Sequence, residues 1–400
     1  MNNKIRSVYI DYNATTPLIP EVKAAMIEDL DIFGNASSMH TSGRLAHARV
    51  EQARKKIGNL IGAMDGTIVF TSGGSEANNM VFQTIRRLAG ESAQNLTHLS
   101  APIRNEILTT AIEHPCVLNS ALNLKKEGYK VKILPVDEYG KLKIIELKNA
   151  LSDRTLFVSV MAANNEIGTV QDIWEIAAQV KSAGALMHID AVQAVGKIPL
   201  NVKELGVDYL TISSHKIYGP KGVGALYARK DAPLYPLIYG GHQEDGLRAG
   251  TYNNTSILGF GKAAEIAAAR IDKYGIIISA LRDRLRRGLE KNIPNIKVNG
   301  HPKDVLPNTL NVSFSGVEGE SILLSMDIQG IEASTGSACA SGSLEPSHVL
   351  LATGLGSELA HGSIRFSLGW GLTEYDIDYI IETLPPIIAR LRAMSTLSVV

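Results

Sequence analysis

The chain has 400 residues, room for two or three domains at ~100–200 residues each. Lys plus Arg number 40 and Asp plus Glu number 40, so no surplus of positive charge marks nucleic acid or an anionic membrane as the main partner. Two cysteines, Cys116 and Cys339, exclude a disulfide framework and fit a reducing cytoplasm, and no apolar run approaches the ~18–20 residues of a spanning helix. The N-terminus, MNNKIRSVYIDYNATTP, has no apolar signal core. Short β-branched runs predict strands over 68–71, 106–112, 130–134, 156–161, 185–190, 209–213 and 223–227. The polar, aperiodic stretch 89–105 reads as a surface loop. A helix is expected over 172–183, with Ile173, Ile176, Ala177 and Val180 on one face. Asp172 is its expected cap, with Glu175 three residues on, and Gly184 its end. Strands alternating with helices imply an α/β fold with a mainly parallel sheet. From about residue 262 a long charged helix, the strand TLNVSF and a closing helix near 376–392 predict a second, smaller α+β domain.

Three segments carry chemistry. In TSGGSEANN, from Thr71 to Asn79, a strand ends, two glycines follow, and Ser75 opens a helix. That turn aims main-chain N–H groups at one spot and suits a phosphate, although an ordinary strand–helix turn explains it equally. Asp190 ends the strand ALMHID, at the ligand edge of a parallel sheet; taken alone, a helix cap is the better reading. In SSHKIYGPKGVGALY, Lys216 follows a strand and precedes a Gly-rich turn, where an amine can form a Schiff base; most lysines are solvated surface charges. Pyridoxal phosphate requires an anion cradle, a carboxylate to keep its pyridine nitrogen protonated, and a lysine for its aldehyde. All three are present, in that order, each at a strand end.

The motifs DYNATTP, FGNASSMHTSGR, TSGGSEANN, EHPCVL, NNEIGTVQDI, HIDAVQAVGK, SSHKIYGPKGVGALY, RAGT, STGSACASGSLEPSHVL and SIRFSLG resemble those of the cysteine desulfurases. These belong to the aminotransferase class V group of fold-type I pyridoxal-phosphate enzymes. The resemblance runs from about Val8 to about Glu382. It implies a large domain over 16–261 with a seven-stranded, mainly parallel sheet, and a small domain from 1–15 and 262–400 that carries the catalytic cysteine. It further implies that Lys216 bonds the cofactor aldehyde, His114 stacks on the pyridine face, Asp190 pairs with the ring nitrogen and Gln193 bonds the ring hydroxyl. Gly74, Ser75, Ser213 and His215 would hold the phosphate, with Thr251 reaching it from the other subunit of a homodimer. Asn165 would sit near the ring hydroxyl and the substrate, and Arg365 would clamp the substrate carboxylate. Cys339 would take the sulfur of L-cysteine as a persulfide, for delivery to an acceptor protein such as an iron–sulfur scaffold.

A thiolate is the reactive form, and the Gly/Ser-rich surroundings of Cys339 read as accessible chain, not core. Cys116 has valine and leucine beside it, so buried packing is expected there, although a helix N-terminus would lower its pKa. His40 and His361 lie in matching motifs and are candidates to line the site, whereas His188 reads as structural. With no CxxC and no HExxH, no zinc site is expected. Departures from the family pattern are a short tail, RLRAMSTLSVV, a long 89–105 stretch, Ser75 in place of threonine, and Trp370 after SIRFSLG. Selenocysteine lyase and small-amino-acid aminotransferase are rival chemistries on one fold, and the segment around Cys339 disfavours the second. A non-catalytic scaffold conflicts with the intact lysine, aspartate, cysteine and arginine set.

Overall fold

The computed structural model describes residues 6–63, 65–94, 104–335 and 345–395. After β1 (Val8–Tyr9), helices α1 (Pro20–Asp29) and α2 (Thr41–Ile61) lead into β2 (Thr67–Thr71). There follow α3 (Gly74–Gln94), β3 (Glu106–Thr110), α4 (Pro115–Lys126), β4 (Lys130–Leu134), α5 (Ile144–Ala150) and β5 (Thr155–Met161). Next come α6 (Ile173–Ser182), β6 (Leu186–Asp190), α7 (Val202–Leu205), β7 (Tyr209–Ser213) and β8 (Gly224–Ala228). Strands β2 to β8 form one seven-stranded sheet, ordered β2-β8-β7-β6-β5-β3-β4. Only β8 runs antiparallel to its neighbours in it. Helices cover both faces, so a central strand such as β5, TLFVSVM, is buried along its whole length and does not alternate. All seven expected strands are present, with ends displaced by at most two residues.

Local chemistry explains most boundaries. In α6 the predicted face of Ile173, Ile176, Ala177 and Val180 is buried, and Gly184 adopts φ 66° just past the helix. The expected cap is corrected: Asp172 occupies the cap position but makes no capping bond, because its carboxylate takes Lys141 Nζ at 2.8 Å. The expected 89–105 loop is also corrected. Helix α3 continues to Gln94, and Ala89 is buried in its apolar face; residues 95–103 lie outside the described residues.

The remaining chain begins with the 39-residue helix α8 (Asn254–Asn292), which starts before the expected 262 because the Asn253 side chain accepts from Ser256 N. Its first turns bury Ile257, Phe260 and Ala263 against the large-sheet layer. Its later turns bury Tyr274, Ile278, Leu281 and Leu285 in a second core with Phe314, Phe366 and Leu384. That core rests on an antiparallel sheet of β9 (Ile296–Asn299), β10 (Thr309–Phe314) and β12 (Ser363–Ser367), ordered β12-β10-β9. Between β10 and β12 lie α9 (Gly319–Ile328), β11 (Ile331–Glu332), α10 (His348–Ala352) and α11 (Ser357–His361), and β11 pairs with β1. The last helix, α12 (Glu374–Met394), opens with a Thr373/Asp376 capping box. No helix among the described residues is long and apolar enough to cross a membrane.

Candidate active site

Parallel strands deliver their C-terminal ends to one edge of the sheet, and there a cavity of about 390 Å³ opens. Gly74, Ser75, His114, Asn165, Asp190, Gln193, Ser213, His215, Lys216 and Arg365 all line it. Three segments far apart in sequence thus meet around one space.

The first turn of α3 forms one wall. A Cβ at Gly74 would lie 2.8 Å from Val192 Cγ2, so the close approach of this turn to the β6 end requires glycine. The start of the 21-residue helix borders the cavity together with Ser75 and Ser213, an arrangement of N–H and hydroxyl donors that could hold an anion. His215 stands beside it. Burial, then the neighbouring cations Lys216, Lys221 and Lys197, push its pKa down to about 4, so it is a neutral donor or acceptor at pH 7.

The opposite requirement, a fixed carboxylate, is met at the last residue of β6. Asp190 Oδ1 accepts from Val192 N at 3.0 Å and Oδ2 from Asn78 Nδ2 at 2.8 Å, so two donors orient it. Lys216 lies three residues beyond β7, and its Nζ donates to the Asn13 carbonyl and to the Ala14 carbonyl, the latter at 2.8 Å. His114 caps α4. The Cys116 main-chain N–H donates to His114 Nδ1 at 3.2 Å, so the neutral ring carries its proton on Nε2. Burial depresses the pKa of His114, against the opposing effect of Asp190. The adjoining Glu113 carboxyl is pushed up to about 8 by burial and is protonated at pH 7.

Arg365, on β12, is buried. Its Nη1 donates to the Asn165 carbonyl at 3.1 Å and its Nη2 to Asp11 Oδ1 at 2.6 Å. The guanidinium is thereby oriented at the cavity wall.

Cys339 lies outside the described residues. The chain on both sides of it is anchored at the site. Before it, Ser334 exchanges main-chain hydrogen bonds with Arg365. After it, Ser347 Oγ donates to Glu166, and His348 Nε2 donates to the Glu113 carbonyl at 3.0 Å. The last two anchors were not anticipated, since they join residues 181 and 235 positions apart. Asn13 and Asn78 are further cavity residues missed in the sequence; Asn78, one helical turn beyond Gly74, was detectable by helical spacing.

Other expectations are settled by geometry. Cys116 is half-buried: it packs against the core around α3 and α4, as expected, and also lines the cavity. Its Sγ lies 3.0 Å from His114 Nδ1 and accepts from Asn78 Nδ2 at 3.1 Å. Burial and Asp190 push its thiol up to about 12, the reverse of the helix-terminus effect. Cys116→Ala is therefore expected to turn over at nearly the wild-type rate, with a stability loss of at most ~1 kcal/mol in chemical denaturation. His40 and His361 do not line this cavity; His40 instead caps α2. His188 is buried between Ser159 Oγ and Thr211 Oγ1, with its pKa pushed down to about 3 by burial, as a structural residue should be. Thr251 is exposed and away from this cavity.

The residues fit pyridoxal phosphate: a helix N-terminus flanked by two serine hydroxyls, a doubly held carboxylate and a lysine share one cavity. The family described as aminotransferase class-V matches residues 8–380. Cysteine desulfurase 2 of Trichormus variabilis is 49% identical over 392 residues, covering 98% of this chain and 95% of that protein. Among solved structures, a NifS-like protein superposes with a TM-score of 0.88 at 36% identity, covering 96% of this chain and 100% of that one. SspA in complex with cysteine superposes with a TM-score of 0.77 at 33% identity, covering 90% and 98%. Fold, cavity and relatives agree that this chain belongs to the aminotransferase class-V family and, within it, to the cysteine desulfurases.

Proposed function

We propose that the protein is a pyridoxal-phosphate enzyme that converts L-cysteine to L-alanine and leaves the sulfur as a persulfide on Cys339. The observation that carries this reading is the single cavity lined by Lys216, Asp190, the α3 cradle and Arg365. The similarity to SspA, solved with cysteine, supports the substrate. When bound, pyridoxal phosphate supplies an electron sink that acidifies the substrate Cα–H. Gly74, Ser75, Ser213 and His215 would hold the phosphate, Asp190 would pair with the ring nitrogen, and His114 would cover the ring. Gln193 and Asn165 would meet the ring hydroxyl. Lys216 would bond the aldehyde, and its amine would move the proton at Cα. Arg365 fixes the substrate carboxylate, so that the Cα–H bond is presented to the Lys216 amine.

Cys339 then takes the substrate sulfur: an S–S bond forms, the C–S bond breaks, and the three-carbon remainder leaves as L-alanine. It lies five positions after Ser334, a reach of at most roughly 18 Å, and Ser334 is bonded to Arg365 at the cavity wall. Purified protein supplied with L-cysteine should release alanine and, with a thiol reductant, an equal amount of sulfide. Alanine without sulfide, or neither product, contradicts the reading.

The carboxylate grip has its own test. A planar guanidinium makes two directed bonds that an ammonium cannot. Arg365→Lys is expected to raise KM for cysteine roughly 10- to 150-fold with the cofactor spectrum unchanged. Steady-state kinetics beside an absorbance scan checks both parts.

The active species is proposed to be a cytoplasmic homodimer that passes its persulfide sulfur to an acceptor protein, such as an iron–sulfur scaffold. Thr251, exposed and away from its own cavity, would reach the phosphate in the partner's site. If Thr251→Ala alone is inactive, mixing it with Lys216→Ala should restore activity through a dimer with one intact site. An active monomer in sedimentation contradicts the shared site.

A further inference from the structure

Lys197 is a buried amine that the proposed reaction does not use. It is 4% exposed, and among the described residues it forms no ion pair. The charges acting on it, Lys216 and Arg365, are themselves cationic. An amine buried without a counter-ion costs free energy that a methionine of similar length does not. Packing alone therefore gives no reason for lysine here, and its hydrogen bonds must be followed.

There are two. Lys197 Nζ donates to Gln193 Oε1 at 2.7 Å and to Asn13 Oδ1 at 3.1 Å. Gln193 Nε2 in turn donates to the Asn13 main-chain carbonyl at 3.0 Å. A carbonyl only accepts, so flipping the Gln193 amide would set two oxygens face to face. Gln193 is thus locked with its oxygen toward Lys197 and its nitrogen toward Asn13, leaving a second N–H for an acceptor in the cavity. The same Asn13 carbonyl receives Lys216 Nζ. The Asn13 side chain is saturated as well: Oδ1 also accepts from Asn308 Nδ2 at 2.9 Å, and Nδ2 donates to the Asn165 carbonyl at 3.1 Å and Thr309 Oγ1 at 2.9 Å.

We infer that Lys197 is a positioning residue for the cofactor site: it locks the Gln193 amide with N–H toward the cavity and holds Asn13, whose carbonyl carries Lys216. The inference rests on pyridoxal phosphate being the ligand of this cavity. Burial, then the like charges of Lys216 and Arg365, push the Lys197 amine well below the usual lysine range, and its two short hydrogen bonds make it a directed donor to Gln193 and Asn13.

The test is equilibrium binding of pyridoxal phosphate to the full-length apo-protein, followed by absorbance, with thermal unfolding of each apo-variant alongside. Lys197→Met should weaken binding about 10-fold, as should Gln193→Leu, because each removes the oriented donor. The double variant should be no worse than either single one, since both break one chain of bonds. Lys197→Gln, which keeps an N–H for Gln193 Oε1, should bind within about 3-fold of wild type. The apo-form Tm of Lys197→Met should be unchanged or higher, which a purely structural role does not allow. Should Lys197→Met not fold, Lys197→Leu takes its place. Wild-type binding by Lys197→Met, or single losses that multiply to about 100-fold in the double variant, overturns the inference. If wild-type protein itself does not bind pyridoxal phosphate, the cofactor reading fails first.

Discussion

Cys339→Ala is expected to bind pyridoxal phosphate and L-cysteine normally and yet to release neither sulfide nor alanine above background. The groups proposed to hold the cofactor and the substrate carboxylate all come from other segments, and Asp190, Lys216 and Arg365 are positioned by bonds that do not involve Cys339. What the variant loses is the acceptor for the substrate sulfur. Without it the C–S bond has no nucleophile to receive the sulfur, and the loss should be roughly 10³-fold or more in kcat. Cys116 cannot substitute. Its thiol, pushed up to about 12 by burial and by Asp190, is protonated at neutral pH and held against His114. Assay of sulfide and alanine together, with an absorbance scan for bound cofactor, separates loss of sulfur transfer from loss of the site.

Lys216→Ala should be equally inactive for a different reason. Wild-type protein carrying pyridoxal phosphate is expected to be yellow and to bleach on borohydride reduction, fixing the cofactor covalently to the Lys216 peptide. The variant keeps the cradle, Asp190 and His114, so it should still hold the cofactor, now without a covalent bond that borohydride can fix. It lacks the amine that moves the Cα proton, a contribution of roughly 10²–10⁴-fold by itself. Turnover by purified Lys216→Ala at more than about one per cent of wild type contradicts the role given to this lysine.

Why these residues were legible in sequence follows from the parallel sheet. Strand ends are marked by Gly, Asp and Lys after β-branched runs, and the topology carries all such ends to one edge, so TSGGSE, HID and SSHK could be placed before their distances were known. Strand pairing was only partly legible. Nothing in VGALY signals that β8 runs against its neighbours, because a strand buried on both faces reads the same in either direction. Asp172 failed as a cap because Lys141, 31 residues away, takes its carboxylate. Cys116 packs against the core as its neighbours Val117 and Leu118 suggested, but its further place on the cavity wall, beside the His114 cap that starts α4, was not legible. The grip of Asp11 on Arg365 and the Asn13 node join positions hundreds of residues apart, and no local pattern encodes such pairs.

The central claim is that sulfur leaves the substrate onto Cys339. Mass spectrometry of the wild-type protein, after brief reaction with L-cysteine and trapping of persulfides by alkylation, tests it most directly. The peptide bearing Cys339 should gain one sulfur atom, about 32 Da, in amounts that rise with alanine released, while the peptide bearing Cys116 gains none. A persulfide found on Cys116, or alanine formed with no persulfide on Cys339, contradicts the account.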